Sequence, residues 1–143
     1  MRPQINAITL AVRDLDAALR FYRDGLGLTE TRGIVGTEFS GDEEHPDGSV
    51  VMFTLEGLTL ALYPASELAK DAHLPRDAVD GHGFSLGHFV ETREEVDAVL
   101  AAAAAAGGQV TAPAHERPWG IYSGYFADLD GHLWEVLCVL NQG

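Results

Sequence analysis

The stretch "GYFADLDGHLWEVL", residues 124–137, sets one acid, Glu135, among apolar neighbours. Its residues alternate as a strand, turn at Asp130-Gly131 and alternate again. A carboxylate in such a strand has three chemical uses. It can ligate a divalent metal, serve as a general acid or base, or accept hydrogen bonds from protein donors. Leu133 and Leu137 share its face by strand alternation. Upstream, "PWGIYSGYF" supplies Trp119, Tyr122 and Tyr125, whose rings can stack on a flat ligand. Which tyrosine shares the face of Glu135 depends on strand register.

The six histidines, His45, His73, His82, His88, His115 and His132, include no pair at the i, i+4 spacing of a helical zinc site. His115, in "APAHERPWG", leads into the strand that should line a cleft and is the best histidine for ligand contact. His88 falls on the face of Leu86 and Val90, which predicts a buried, hydrogen-bonded structural histidine. His132 lies on the strand face opposite Glu135. His82 is in a glycine-rich entry, and His45, in "GDEEHPDG", is expected to be solvated.

The elements that must position these groups are written twice. Residues 5–12 alternate as a strand, and Asp14 can cap a helix carrying Leu15, Ala18, Leu19 and Tyr22 at helical spacing. Gly25 and Gly27 stop it. Residues 84–90 alternate again. Thr92 and Glu95 then form a capping box ahead of Val96, Val99, Leu100 and Ala103, and Gly107-Gly108 ends that helix. Three strand candidates follow each helix, at about 28–33, 49–55 and 58–63, and at about 109–112, 121–127 and 133–140. The pattern is βαβββ, twice: a first module of about 1–65, a polar linker of about 64–83, and a second module of about 84–143, making a single domain over 1–143. One helix cannot cover both faces of a four-stranded sheet. The expected architecture is therefore α+β, with two modules curling a mixed sheet around a cleft and helices outside.

The 143 residues can bury a real core. The formal net charge of −13 makes nucleic acid and anionic membrane poor partners and attracts cations. With Cys138 the only cysteine, no internal disulfide can form, which suits a reducing, cytoplasmic setting. The N-terminal residues lack the apolar core of a signal peptide, and no run is long and apolar enough to cross a bilayer.

The segments "AVRDLDAALRFYRDGLGL" at 11–28 and "GYFADLDGHLWEVL" at 124–137 resemble the vicinal oxygen chelate superfamily of glyoxalases, extradiol dioxygenases, fosfomycin-resistance enzymes and bleomycin-binding proteins. The turn departs from that family's pattern at Leu129, where a proline is usual. The resemblance implies a cleft between paired modules, often completed in a homodimer. It also implies four inward metal positions, which here carry Ala7, Ala61, Ser85 and Glu135. Alanine offers no donor and a neutral serine hydroxyl a poor one, whereas catalytic sites typically use three protein ligands and an open position. No metal and no cofactor is therefore expected beyond weak divalent binding through Glu135. The expectation is a small-molecule-binding protein holding a flat or cationic organic ligand with Thr9, Tyr63, Ser85, Phe89, His115, Trp119, Tyr122, Tyr125 and Glu135. Gly87 and the two inward alanines leave room for that ligand. Glu135 would pair with a ligand cation or accept from Ser85, Tyr63 or a nearby tyrosine. The alternative is a lyase, isomerase or dioxygenase, with Glu135 as catalytic base or with metal recruited by Glu135, His115 or a partner subunit. A third reading is an interaction domain whose cleft is vestigial.

Overall fold

The computed structural model describes residues 1–80 and 83–140. His82 lies outside the described residues. The chain divides into two compact units, 1–81 and 82–143.

In the first unit, β1 (Ala7–Val12) leads into α1 (Leu15–Leu19), capped by Asp14, whose carboxylate accepts from the Ala17 amide at 3.0 Å. The helix widens into a π-type turn over Arg20–Gly25. The widening buries two consecutive aromatics, Phe21 and Tyr22, packed edge to face with centroids 5.0 Å apart. Helical periodicity identifies only Tyr22, because a regular helix would turn Phe21 off the core stripe. The strands β2 (Thr31–Val35), β3 (Val50–Leu55) and β4 (Leu58–Pro64) follow, in the sheet order β1-β4-β3-β2. β1 runs parallel to β4 and the other pairs are antiparallel. β2 begins three residues later than the sequence predicts. Its register breaks between Thr31 and Ile34, where Gly33 takes φ +76° in a bulge. Leu10, Val12, Val51, Phe53, Leu60 and Leu62 are buried on one face with Leu19 and Tyr22. Each such side chain contributes about 1.5–3 kcal/mol on leaving water.

The expected linker carries structure of its own. α2 (Ala65–Ala72) starts directly at the end of β4 and buries Ala65, Glu67 and Ala69, and a short 3-10 turn spans Arg76–Val79. Two helical turns are too short for periodicity to separate from a polar loop.

The second unit repeats the first. β5 (Ser85–Phe89), α3 (Arg93–Ala105), β6 (Gln109–Arg117), β7 (Ile121–Ala127) and β8 (Leu133–Val139) build a sheet of order β5-β8-β7-β6, with β5 parallel to β8. The fold is thus α+β, two tandem βαβββ modules, as the sequence predicts. The Thr92 hydroxyl oxygen accepts from the Glu95 amide at 3.1 Å and its proton goes to the Glu95 carboxylate. The cap therefore closes side chain to side chain rather than through the reciprocal amide expected. α3 packs across β6, β7 and β8, burying Val96, Leu100 and Ala103 over Phe126, Val136 and Cys138. Among the described residues no helix is long and apolar enough to cross a membrane.

His88 corrects a sequence expectation. It sits level with Val136, on the helix-side face, but it is exposed. β5 is an edge strand, and α3 lies over the other three strands. β6 is five residues longer than predicted and runs through Pro113, with register breaks on either side of Ala112. An edge strand tolerates proline because one row of its amides needs no ladder partner.

Candidate functional site

The register of the second sheet sorts its side chains into two faces. Directly paired residues point to the same side. Ser85 pairs with Leu133, Gly87 with Glu135 and Phe89 with Leu137. On the other side of β8, Tyr125 pairs with Glu135 and Ser123 with Leu137. His115 pairs with Ser123, and Arg117 with Ile121. Ser85, Phe89, His115, Arg117, Tyr125 and Glu135 therefore stand on one face. The opposite face carries Tyr122, Gly124, Phe126, Val136 and Cys138, against α3.

Tyr122 therefore leaves the candidate site. Its hydroxyl donates to the Asp97 carboxylate on α3 at 2.7 Å, and the Arg93 guanidinium lies 5.2 Å from its ring centroid. The hydrogen bond to Asp97, helped by burial, holds the phenol above its ordinary pKa range. Arg93 also pairs with Glu116 at 2.5 Å, so this side of the sheet is a closed polar lattice tying α3 to β6 and β7.

Glu135 is half-buried, and among the described residues its carboxylate accepts no hydrogen bond and joins no ion pair. Neither Ser85 nor Tyr125 donates to it, contrary to the hydrogen-bonding alternative drawn from the sequence, and the Tyr63 hydroxyl proton goes to the Asp47 carbonyl within the first unit. Its neighbour across β5, Gly87, has no side chain, and the Phe89 ring reaches to 3.3 Å from where a Cβ on Gly87 would stand. Phe89 is 70% exposed. The open carboxylate is flanked by a phenol on one strand and a bare backbone with an aromatic edge on the other.

Further along this face, the His115 Nδ1 donates to the Pro113 carbonyl at 3.0 Å. In the neutral ring that leaves Nε2 as the acceptor, exposed to solvent. Trp119, in the turn between β6 and β7, is 64% exposed, with the Arg117 guanidinium carbon 4.7 Å from its ring centroid. Arg117 also donates from Nη1 to the Ser123 hydroxyl at 3.2 Å. Alternation that stops at residue 112 does not reach Arg117; strand alternation counted back from Ser123 through the hairpin does.

In the first unit, Thr9 pairs with Ala61, Ala11 with Tyr63 and Met52 with Ala61, so these share one face, with Ala7 two residues from Thr9. The Tyr63 hydroxyl is already committed, donating to the Asp47 carbonyl at 2.7 Å. Burial, with the charges of Asp71, Asp47 and Glu67, holds its phenol above the ordinary range. That bond is one of three fastening the acidic loop to this unit. The Asp47 amide donates to buried Glu67 at 3.0 Å, and the Lys70 ammonium reaches the Asp42 carbonyl at 2.9 Å. Burial pushes the Glu67 carboxyl up. The hydrogen bonds from Asp47, Ser66 and Lys70 and the charge of Lys70 outweigh it, and the carboxyl titrates below the glutamate range. His45 is exposed as expected, with its Nδ1 2.9 Å from the Asp42 carboxylate.

The positions to which a metal would bind show a poor donor set. Ala7 and Ala61 contribute nothing, and Ser85 is a neutral hydroxyl. Among the described residues no group of three or more histidine, cysteine or acidic side chains is gathered at metal-binding distance.

A family model described as the Glyoxalase/Bleomycin resistance protein/Dioxygenase superfamily matches residues 4–136. No curated protein matches the chain. Among solved structures, a glyoxalase-related enzyme from Fulvimarina pelagi is 31% identical, with TM-score 0.75, over 95% of this chain and 88% of that one. A lactoylglutathione lyase from Agrobacterium tumefaciens is 29% identical, with TM-score 0.65, over 96% of this chain and 95% of that one. A glyoxalase/bleomycin resistance protein/dioxygenase from Nocardioides is 25% identical, with TM-score 0.70, over all of this chain and 87% of that one.

Proposed function

Because the chain belongs to the Glyoxalase/Bleomycin resistance protein/Dioxygenase superfamily, we propose that it binds a small organic molecule, flat or cationic, at the Glu135 face of its second sheet, without a tightly held metal. One observation carries the reading: the Glu135 carboxylate is half-buried and receives no hydrogen bond from any described residue. A partly covered carboxylate that no protein donor occupies keeps its acceptor sites open to an external one, and a cationic donor makes the stronger, charge-assisted bond. Tyr125 beside it and Phe89 across Gly87 supply aromatic surface for a planar body. The net charge of −13 raises the local concentration of cations around the molecule.

The donor set argues against tight metal binding. One carboxylate with a neutral hydroxyl falls short of the three ligands that hold a catalytic ion. Elemental analysis of freshly purified protein tests this part, with a stoichiometric transition metal as the overturning result. Benzamidine, a flat cation, tests the binding part. Calorimetry should detect it on the wild type, with affinity unchanged by chelator and sharply reduced in Glu135→Gln. Equal affinity in that variant would sink the assignment. The expected homodimer belongs to the same proposal, and analytical ultracentrifugation reads it directly.

A second reading draws on the same two residues. Glu135 opposite Tyr125 pairs a base with a phenol that can hydrogen-bond a developing oxyanion, which suits proton abstraction next to a carbonyl. The 31% identity to a glyoxalase-related enzyme favours keeping it. Turnover of an α-hydroxy or α-keto thioester by metal-free protein, abolished in Glu135→Gln, would establish it. Binding without turnover leaves the first reading in place.

A further inference from the structure

The acidity of this chain makes one of its cations conspicuous. The sequence holds 22 acidic residues against nine lysines and arginines. Arg20, Arg23, Lys70, Arg76 and Arg93 each pair with a carboxylate. Arg117 is half-buried, yet among the described residues it has no carboxylate within ion-pair distance. Its contacts are the Ser123 hydroxyl at 3.2 Å and the Trp119 ring, 4.7 Å from the guanidinium carbon.

These contacts orient the guanidinium without neutralising it. The guanidinium lies over the indole ring, within cation–π range. Ser123 is fully buried and takes one of five N–H donors. The turn beneath is closed by the Gly120 amide on the Arg117 carbonyl at 3.1 Å. The result is a preorganised fork, the geometry that recognises a carboxylate or phosphate through paired hydrogen bonds.

Its position relative to Glu135 follows from the ladder. Ser123 pairs with Leu137, two residues along β8 from Glu135, which makes Ser123 and Glu135 diagonal neighbours on one face. Such neighbours lie about 7–8 Å apart. The geometry points to a second anchoring point on this face: Arg117, set by Trp119 and Ser123, binds an oxyanion of the ligand, while Glu135 takes a donor on the same molecule. The ligand class is then a compact zwitterion or hydroxy acid about one aromatic ring long. This deepens the proposed function and rests on its assignment of the Glu135 face as the binding surface.

Four probes separate the two claims: 4-amidinobenzoate, its methyl ester, benzamidine and benzoate, each titrated by calorimetry and by fluorescence of Trp119, with Trp119→Phe as the optical control. The acid should bind wild-type protein about ten-fold or more tighter than the ester, the discrimination expected of charge-assisted hydrogen bonds to a guanidinium. Arg117→Gln should remove that preference by weakening the acid and benzoate while leaving the ester and benzamidine unchanged. Acid and ester of equal affinity on the wild type would overturn the inference with no variant needed. So would equal weakening of all probes by Arg117→Gln, or no binding of any probe at millimolar concentration. If benzoate binds through Arg117 but benzamidine is indifferent to Glu135→Gln, the oxyanion site stands and the carboxylate reading fails.

Discussion

Tyr125 and Glu135 face each other directly across the β7–β8 ladder, and neither side chain has a hydrogen-bond partner among the described residues. Both tips are therefore open to water or to an external ligand. Glu135→Gln and Tyr125→Phe should each leave stability within about 0.5 kcal/mol of wild type, because no described interaction is lost. Benzamidine affinity should fall in Glu135→Gln and change little in Tyr125→Phe if the phenol supplies only its ring. Chemical denaturation and calorimetry read the two effects separately.

Two glycines should give opposite outcomes. A Cβ on Gly124 would stand 2.6 Å from Leu100 Cδ1, 2.8 Å from the Ala114 nitrogen and 2.9 Å from the Ala112 oxygen. Backbone cannot yield as a side-chain tip does, so Gly124→Ala should destabilise by about 1–3 kcal/mol. At Gly87 the first obstacle is the ring of Phe89 at 3.3 Å, an exposed side chain rather than backbone. Gly87→Ala should fold with near-wild-type stability and lose ligand affinity by filling the space beside Glu135. A urea midpoint unchanged in Gly124→Ala would contradict the packing described.

Tyr122 should behave as a structural residue. Tyr122→Phe removes the hydrogen bond to Asp97 while keeping the ring under Arg93. The loss should be about 0.5–1 kcal/mol, limited by partial solvent screening. Ligand affinity should not change. A binding defect without a stability defect would return Tyr122 to the site.

The acidic loop should loosen in acid. Glu67 titrates below the ordinary glutamate value of 4.5, so its folded-state pKa is depressed. A depressed carboxyl contributes stability that is present above the unfolded pKa and is lost as pH falls through the folded one. Unfolding free energy should therefore decline below about pH 4.5. Glu67→Gln should flatten that acid limb and destabilise at neutral pH by about 1–3 kcal/mol, since the Asp47 amide and the Lys70 ammonium lose a charged acceptor. Hydrogen exchange at the Asp47 amide reports the same release locally. An acid limb unchanged in the variant would assign it to other carboxylates.

Much of the architecture was legible because it depends on local periodicity. Residues 5–12, 121–127 and 133–140 alternate cleanly, and strands formed there within two residues of the expected ends. Asp14 and Thr92 announced their helices through capping chemistry that acts over three residues. The misses were long-range or very short. The two-turn α2 hides in a polar segment, and β6 continues past residue 112 through Pro113, a residue an edge strand accepts and a central one refuses.

The amino-acid order alone determined that the fold is a doubled βαβββ unit and that Glu135 shares a strand face with Leu133 and Leu137. Both follow from spacing along a single element, where geometry is set by bond angles. It also determined that Ala7 and Ala61 bring no donor, which is a matter of side-chain chemistry. Only the tertiary structure decided that Tyr125 joins Glu135 while Tyr122 turns to α3, that His88 lies beyond the cover of its helix, and that Arg117 shares the face of Glu135. Those outcomes hang on strand register and on bulges flanking Ala112, where a shift of one residue exchanges the two faces of a sheet.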